Sequence, residues 1–286
     1  GLSICQKGEK VSPTIYLNDF YHEIKQGQTL EEICTSIYRL YLSNPGLPYL
    51  DSQILSSYEE IKDHIVYKLI NTKANSILLS HLPHVSFHDM SMVCYLLMEQ
   101  RSKGYVTALI HKDHLKTWEI SQEELFSKAF SNTPRLLPPA IRPMSEQLAQ
   151  EALGEEYSEE TLDSLLEAAE ENRLEQSPVF PTLYVLSNPA GVNGAACMAY
   201  PNVIKDFAAH LEQDIIILPS SIHEVLLVAD SGNYDYEELS RLVTEINQTE
   251  VSKEDQLSNQ IYRYSRDHDQ ITLVSHGPAL DQTIVQ

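Results

Sequence analysis

The sequence predicts an α+β fold, in which mainly antiparallel sheets built from hairpins are covered by amphipathic helices. Two observations point to this class: strand-like runs come in adjacent pairs, and the helical segments carry one apolar stripe each. A third feature is an acidic stretch at 145–176, in which eleven acidic residues accompany a single basic one, Arg173. Leucines in this stretch keep helical spacing, so we interpret it as an acidic helical insertion.

Strands are predicted wherever a run of apolar and β-favouring residues lies between turn residues. Such runs occur as neighbouring pairs along the whole chain, which favours antiparallel pairing across short connections. In chain order the pairs are 2–5 with 11–17, 90–99 with 105–111, 182–187 with 194–200, 214–219 with 223–230, and 260–264 with 270–274.

Helices are predicted where apolar residues recur every three or four positions behind a start signal. Three begin at a capping-box pair, namely Thr29 with Glu32, Ser57 with Glu60, and Ser121 with Glu124. The second of these is expected to continue through Ile65 and Leu69, which keep its apolar spacing. Two more helices follow, one after Pro201 and one that carries Leu239, Leu242, Val243 and Ile246 on one side.

These elements suggest four segments along the chain. Residues 1–143 form an N-terminal α+β region, and 144–177 form the acidic insertion or linker. Residues 178–274 form a C-terminal α+β region, because strand pairs and helices resume there. Residues 275–286 are expected to be a mobile tail, as chain ends often are.

Charge and cysteine content exclude several classes of partner. The 286 residues carry a formal charge of −21, which repels nucleic-acid phosphates and anionic membrane surfaces, so neither is expected as a partner. No apolar run approaches the ~20 residues of a membrane helix. The four cysteines, Cys5, Cys34, Cys94 and Cys197, form no close pair, so a reducing cytoplasm is the expected location.

Four stretches carry a resemblance to a known family. They are SPTIYLNDFY at 12–21, LPHVSFHDM at 82–90, the segment 108–138 that begins ALIHKDHLKTWEI, and the segment 193–230 that begins NGAACMAYPNV. Together they resemble an uncharacterised bacterial family, domain of unknown function number five-six-eight-eight, over about 11–266 apart from the acidic insertion. The segment 108–138 is more faintly similar to the YtpQ-like family, also uncharacterised. These resemblances imply a soluble bacterial α+β protein and no particular substrate, cofactor or catalytic residue.

The stretch LPSSIHEVLLVAD at 218–230 raises the question of a serine hydrolase, with Ser221 as nucleophile and His223 as base. Catalytic triads usually bring these groups from distant parts of the chain. In an extended strand, moreover, His223 and Glu224 point to opposite faces, so Glu224 is poorly placed to orient the imidazole. No Gly-x-Ser-x-Gly elbow is present in the sequence. We therefore interpret 218–230 as a turn between two strands and keep the hydrolase as an alternative.

A second cluster could bind a metal ion. It contains His81, His84, His88 and Asp89, and His111 could join it if the hairpin at 90–111 folds back. Imidazole and carboxylate groups are the common ligands of zinc and related ions. Pro83 interrupts a regular helix through the cluster, however, and no Glu takes the general-base position. Structural or surface histidines are the competing interpretation.

These observations lead to one expected function and two alternatives. We expect a cytoplasmic protein without catalytic activity that acts through protein–protein contacts, since the catalytic templates fail and the acidic insertion suits a basic partner. The alternatives are a metal-assisted hydrolase at the His/Asp cluster and a serine hydrolase at the 218–230 turn. The sequence identifies no cofactor and no oligomeric state.

Overall fold

A computed structural model describes residues 2–3, 14–15, 29–43, 57–101, 104–146 and 182–280. By its internal contacts the chain divides after Lys62, into a unit of Gly1–Lys62 with Gln286 and a unit of Asp63–Val285. The larger unit therefore contains residues 63–143 of the predicted N-terminal region together with the predicted C-terminal region at 178–274. Most of the predicted acidic insertion, from residue 147 to 177, lies outside the described residues.

The smaller unit confirms two predicted elements. Strand β1 (Leu2–Ser3) pairs antiparallel with β2 (Thr14–Ile15), as the first predicted hairpin requires. Helix α1 spans Leu30–Ser43 and begins at the predicted capping box. There the Thr29 backbone N–H donates to Glu32 Oε2 at 2.8 Å, and the Glu32 N–H donates to Thr29 Oγ1 at 3.3 Å.

The predicted helix after Ser57 is wrong beyond its first turn. Helix α2 spans only Tyr58–Ile61, a 3₁₀ turn follows at Lys62–His64, and strand β3 occupies Ile65–Asn71. The residues of β3, IVYKLIN, are mostly β-branched, aromatic or long apolar side chains, and six of the seven are buried. A short run whose side chains are buried on both faces favours a strand. The three- or four-residue spacing of apolar side chains indicates a helix only when one face of the element is buried and the other is exposed.

A four-stranded antiparallel sheet surrounds the long strand β5 (Met90–Arg101). Strand β3 pairs with β5 over Met90–Leu96. Strand β4 (His84–Phe87) pairs with the first part of β5, and β6 (Gly104–Leu109) pairs with its second part. The pairing of β5 with β6 confirms the predicted second hairpin. Helix α3 (Ser76–His81) and strand β4 are additional elements that the sequence did not indicate.

Helix α5 covers the free edge of β3. Helix α4 (Lys112–Trp118) precedes α5 (Gln122–Leu136), whose predicted start is confirmed by a 3.1 Å hydrogen bond from the Glu124 N–H to Ser121 Oγ. The Tyr67 N–H donates to Thr133 Oγ1 at 3.0 Å, and Asn132 Nδ2 donates to the Ile65 carbonyl at 3.0 Å. Side chains of the helix thus satisfy backbone groups that an edge strand would otherwise leave unpaired.

The described part of the larger unit contains a second antiparallel sheet, of six strands in the order β12-β11-β9-β10-β8-β7. Its strands, in chain order, are β7 Ala140–Pro143, β8 Leu183–Ser187, β9 Ile215–Pro219, β10 Val225–Ala229, β11 Tyr262–Ser265 and β12 Gln270–Leu273. The predicted hairpins β9–β10 and β11–β12 are confirmed. The two sheets together confirm the α+β class.

The predicted strand at 194–200 is wrong. Residues Gly194–Ala199 form a buried 3₁₀ helix, and the partner of β8 is β10. The segment GAACMA contains only small side chains and one methionine, so a tight helical turn fits beneath the β9–β10 connection. A β-carbon at Gly194 would stand 2.5 Å from the His223 carbonyl oxygen, so only glycine permits this close approach.

Helices α6 (Val203–Leu211) and α7 (Tyr236–Thr249) are the last two helices of the described residues and lie near their predicted positions. The start of the predicted mobile tail is held in place as far as Leu280. The Gln260 amide bonds to both the N–H and the carbonyl of Gly277, and Asn259 Nδ2 donates to the Pro278 carbonyl at 2.9 Å. Ser275 is fully buried, and its hydroxyl accepts a hydrogen bond from the Ile261 N–H at 2.8 Å.

Candidate functional site

The structure places the predicted His/Asp ligands at several different positions. His81 ends α3 and is exposed, whereas the Nδ1 of His84, in β4, lies 3.0 Å from the Leu82 carbonyl oxygen. His111 precedes α4, where its N–H donates to the Nδ1 of His114 at 3.1 Å and starts the helix. Within the described ranges, no group of three or more His, Cys, Asp or Glu side chains is placed to hold a metal ion.

His88 and Asp89 form the two-residue turn between β4 and β5, and they contact β11 of the other sheet. The buried Tyr262 hydroxyl donates a short hydrogen bond to Asp89 Oδ1, and Ser258 Oγ donates to Asp89 Oδ2 at 2.7 Å. The His88 ring lies 5.3 Å from the Tyr262 ring. Burial and the neighbouring Asp89 carboxylate raise the pKa of Tyr262 far above its usual value, so its hydroxyl keeps its proton. This polar cluster joins the two sheets.

The 218–230 stretch forms the predicted turn, with Pro219 and Val225 facing each other across β9 and β10. Ser221 Oγ accepts a 3.0 Å hydrogen bond from the backbone N–H of His223, while the Ser221 N–H donates to the Glu224 carbonyl at 3.2 Å. The serine therefore contacts the backbone of His223, and the imidazole makes its contacts elsewhere.

Both ring nitrogens of His223 have partners. The Asn193 N–H donates to Nδ1 at 3.2 Å, and Nε2 lies 3.4 Å from Asp255 Oδ1. Since Nδ1 accepts a hydrogen bond from the Asn193 N–H, the ring proton of the neutral imidazole sits on Nε2 and faces the carboxylate. The hydrogen bond from His223 is the largest cause of a lowered pKa at Asp255, and a hydrogen bond from Ser252 lowers it further. Together they outweigh burial, which by itself would raise the pKa. The carboxylate that orients the imidazole is thus Asp255 and not the adjacent Glu224.

Lys68 extends this polar pair. It is the fourth residue of β3, the one residue of that strand that is not fully buried. Burial lowers the pKa of its amine, and the Asp255 carboxylate only partly opposes that effect. In the described part of the chain the Lys68 amine makes no hydrogen bond and no ion pair. Lys68, His223 and Asp255 are the titratable groups that we take as the candidate site, and we call them the Lys68 site.

Residues 1–266 match the family described as "Family of unknown function (DUF5688)". The chain belongs to this family. No curated protein and no solved structure matches the chain. Membership in DUF5688 therefore confirms the resemblance seen in the sequence and assigns no reaction to the Lys68 site.

Two hollows in this DUF5688 chain lie away from the Lys68 site. One, of about 550 Å³, is lined by Asp63 and by polar residues of α5. The other, of about 380 Å³, lies beside Tyr184 and Tyr234 and the end of α6. Neither contains a residue of the Lys68 site, which is defined by its titratable groups and not by a large cavity.

Among the described helices, none is long and apolar enough to cross a membrane.

Sequence reasoning missed two members of the Lys68 site in this DUF5688 protein. Lys68 had a usable signal, since a lone lysine inside the apolar run IVYKLIN is unusual in a buried strand. Asp255 had none, because it lies in a polar segment, EDQ, typical of exposed loops. Only the packing of that loop against the β9–β10 turn brings it to His223.

Proposed function

We propose that this protein is a soluble, cytoplasmic bacterial protein that catalyses no reaction through its Ser or His/Asp groups and acts by binding another protein. One observation carries the proposal: the outward face of α7 presents Leu242 and Ile246, which are 52% and 41% exposed. These side chains lie one helical turn apart and therefore form a continuous apolar strip. We call this strip, with its flanking Glu238 and Glu245, the α7 face.

The charge around the α7 face specifies the chemistry of the partner. Glu238 and Glu245 are exposed on either side of Leu242, and the whole chain carries −21. A helix or loop with apolar side chains between lysines or arginines complements this surface. The bonds that hold Ser221, His84 and Asp89 within turns and sheet contacts are consistent with a structural use of the groups that resemble catalytic residues.

The proposal predicts that Leu242→Ser and Ile246→Ser together weaken partner binding by about tenfold or more, or about 1.4 kcal/mol. The partner is first captured from a bacterial lysate on the immobilised chain, then purified and titrated calorimetrically at two salt concentrations. We expect weaker binding at the higher salt, because charge attraction is screened there.

A matched control is Ile77→Ser, which removes an apolar side chain that is 57% exposed on another helix. It should leave the affinity unchanged. Equal effects of the α7 and Ile77 variants, or no saturable partner, would contradict the proposal. Deletion of residues 145–176 tests the acidic insertion separately, and an identical set of partners would argue against its role.

A further inference from the structure

Lys68 occupies an apolar position in the four-stranded sheet. Side chains alternate along a strand, so Val66 and Ile70 flank Lys68 on the same face. Val66 belongs to a buried cluster with Tyr95, Leu97 and Leu137, and Ile70 belongs to a second one with Leu79, Leu82 and Val93. The amine of Lys68 thus emerges between two apolar clusters.

Strand register identifies the nearest groups across the sheet. Val93 pairs with Lys68 on one side and with His84 on the other, so the three side chains form one row on one face. Neighbouring strands are ~4.8 Å apart, which puts His84 about 10 Å from Lys68. The imidazole of His84 is engaged at Nδ1 by the Leu82 carbonyl oxygen. No carboxylate is contributed to this row from within the sheet.

Asp255 approaches Lys68 from the connection between α7 and β11. Its carboxylate is already occupied, because Ser252 Oγ donates to Oδ2 at 2.8 Å and His223 Nε2 faces Oδ1. The carboxylate therefore acts on Lys68 through space, without a hydrogen bond to it. A partly buried ammonium without a bonded anion costs more free energy than a neutral amine in the same place.

We propose that Lys68 is a nucleophilic amine that takes up a small aldehyde as an imine. The amine lone pair attacks the carbonyl carbon, forming the C–N bond as the C=O π bond breaks, and one proton moves from the nitrogen to the oxygen to give a carbinolamine. Water then leaves as the C–O bond breaks and the C=N bond forms. Amine and aldehyde give imine and water, so the step needs no oxidant or reductant.

The surroundings of Lys68 suit both stages of this reaction. Apolar neighbours keep a fraction of the amine neutral, which attack requires. The Asp255 carboxylate supplies the counter-charge for the imine nitrogen once it is protonated, as it does for the ammonium. Since Lys68 is only half-buried, a small aldehyde can reach it from solvent.

The test is competitive labelling of the full-length protein with propanal and cyanoborohydride, followed by peptide mass spectrometry. At pH 7 we expect propyl modification of Lys68 about tenfold faster than that of Lys73, an exposed lysine in the next turn. The Lys68 rate should also reach its plateau at a lower pH than the Lys73 rate. Equal rates and equal pH profiles at the two lysines would overturn the proposal.

Two variants separate chemistry from a structural role. Lys68→Arg should abolish the fast labelling, and Lys73→Arg should leave it unchanged. Asp255→Asn removes the charge that favours the ammonium, so the labelling rate of Lys68 should reach its plateau at a lower pH than in the unaltered protein. An unchanged or higher plateau pH in a folded Asp255→Asn protein would contradict the proposed effect of that carboxylate on the amine. The pH profile of the unaltered protein decides the case if Lys68→Arg does not fold.

Discussion

Replacement of Arg263 by methionine is expected to lower the free energy of unfolding by about 2–4 kcal/mol. Arg263 Nε donates to Asp230 Oδ2 at 2.7 Å, and Nη2 donates to Asp214 Oδ2 at 2.6 Å. The Asp230 side chain is 3% exposed, whereas that of Arg263 is 37% exposed. Methionine fills a similar volume but leaves the buried Asp230 carboxylate without its counter-charge. The desolvation of this unpaired carboxylate accounts for most of the lost stability.

Urea unfolding at pH 7 measures this effect, and Arg266→Met is its control. Arg266 lies three residues along the chain, is exposed and bonds the Glu212 carbonyl at 2.5 Å, so its loss leaves no buried charge unpaired. The midpoint for Arg266→Met should lie close to that of the unaltered protein. Similar losses of unfolding free energy in Arg263→Met and Arg266→Met would show that the unpaired Asp230 carboxylate is not what destabilises Arg263→Met.

The same ion pair predicts how stability depends on pH. Burial raises the pKa of Asp230, but hydrogen bonds from Gly232, Arg263 and Tyr236 outweigh it and hold the pKa below its usual value. A lowered folded-state pKa contributes stability above the unfolded pKa of ~3.9 and loses it as pH falls through the folded value. The gap in stability between the unaltered protein and Arg263→Met should therefore narrow below about pH 4, and a gap that stays constant would contradict this assignment.

Replacement of Asp89 by alanine should cost about 2–3 kcal/mol, because hydrogen bonds to a charged group are stronger than neutral ones. The variant removes the common acceptor of Tyr262 and Ser258, and Tyr262 is fully buried. Its hydroxyl keeps only Ser258 Oγ, at 3.0 Å. The contact between the β4–β5 turn and β11 is then much weaker.

A double-mutant cycle isolates that contact from the effect of alanine on the turn. Tyr262→Phe alone should cost about 1–2 kcal/mol, and the double variant should cost less than the two single changes added together. The expected coupling between Asp89 and Tyr262 is about 1–2 kcal/mol, measured by urea unfolding. Additive losses would show that the hydrogen bond contributes little to stability.

Local patterns were reliable where one face of an element is buried. The capping pairs at Thr29 and Ser121 mark true helix starts, since both bonds are made within one turn of the chain. Hairpins such as 90–101 with 104–109 were equally predictable, because short connections leave neighbouring strands little choice of partner. Elements with uniform burial, namely Ile65–Asn71 and Gly194–Ala199, were assigned wrongly because periodicity carries no information there.

The sequence alone determined the α+β class, the family, the turn at 218–230 and the start of most helices, since each depends on residues close together in the chain. Only the tertiary structure decided that Asp255, and not Glu224, faces His223, and that the Asp255 carboxylate acts electrostatically on Lys68, which lies on an apolar sheet face. Contacts between distant segments depend on how the strands and loops pack. Their desolvation and charge therefore follow from the fold and not from spacing along the sequence.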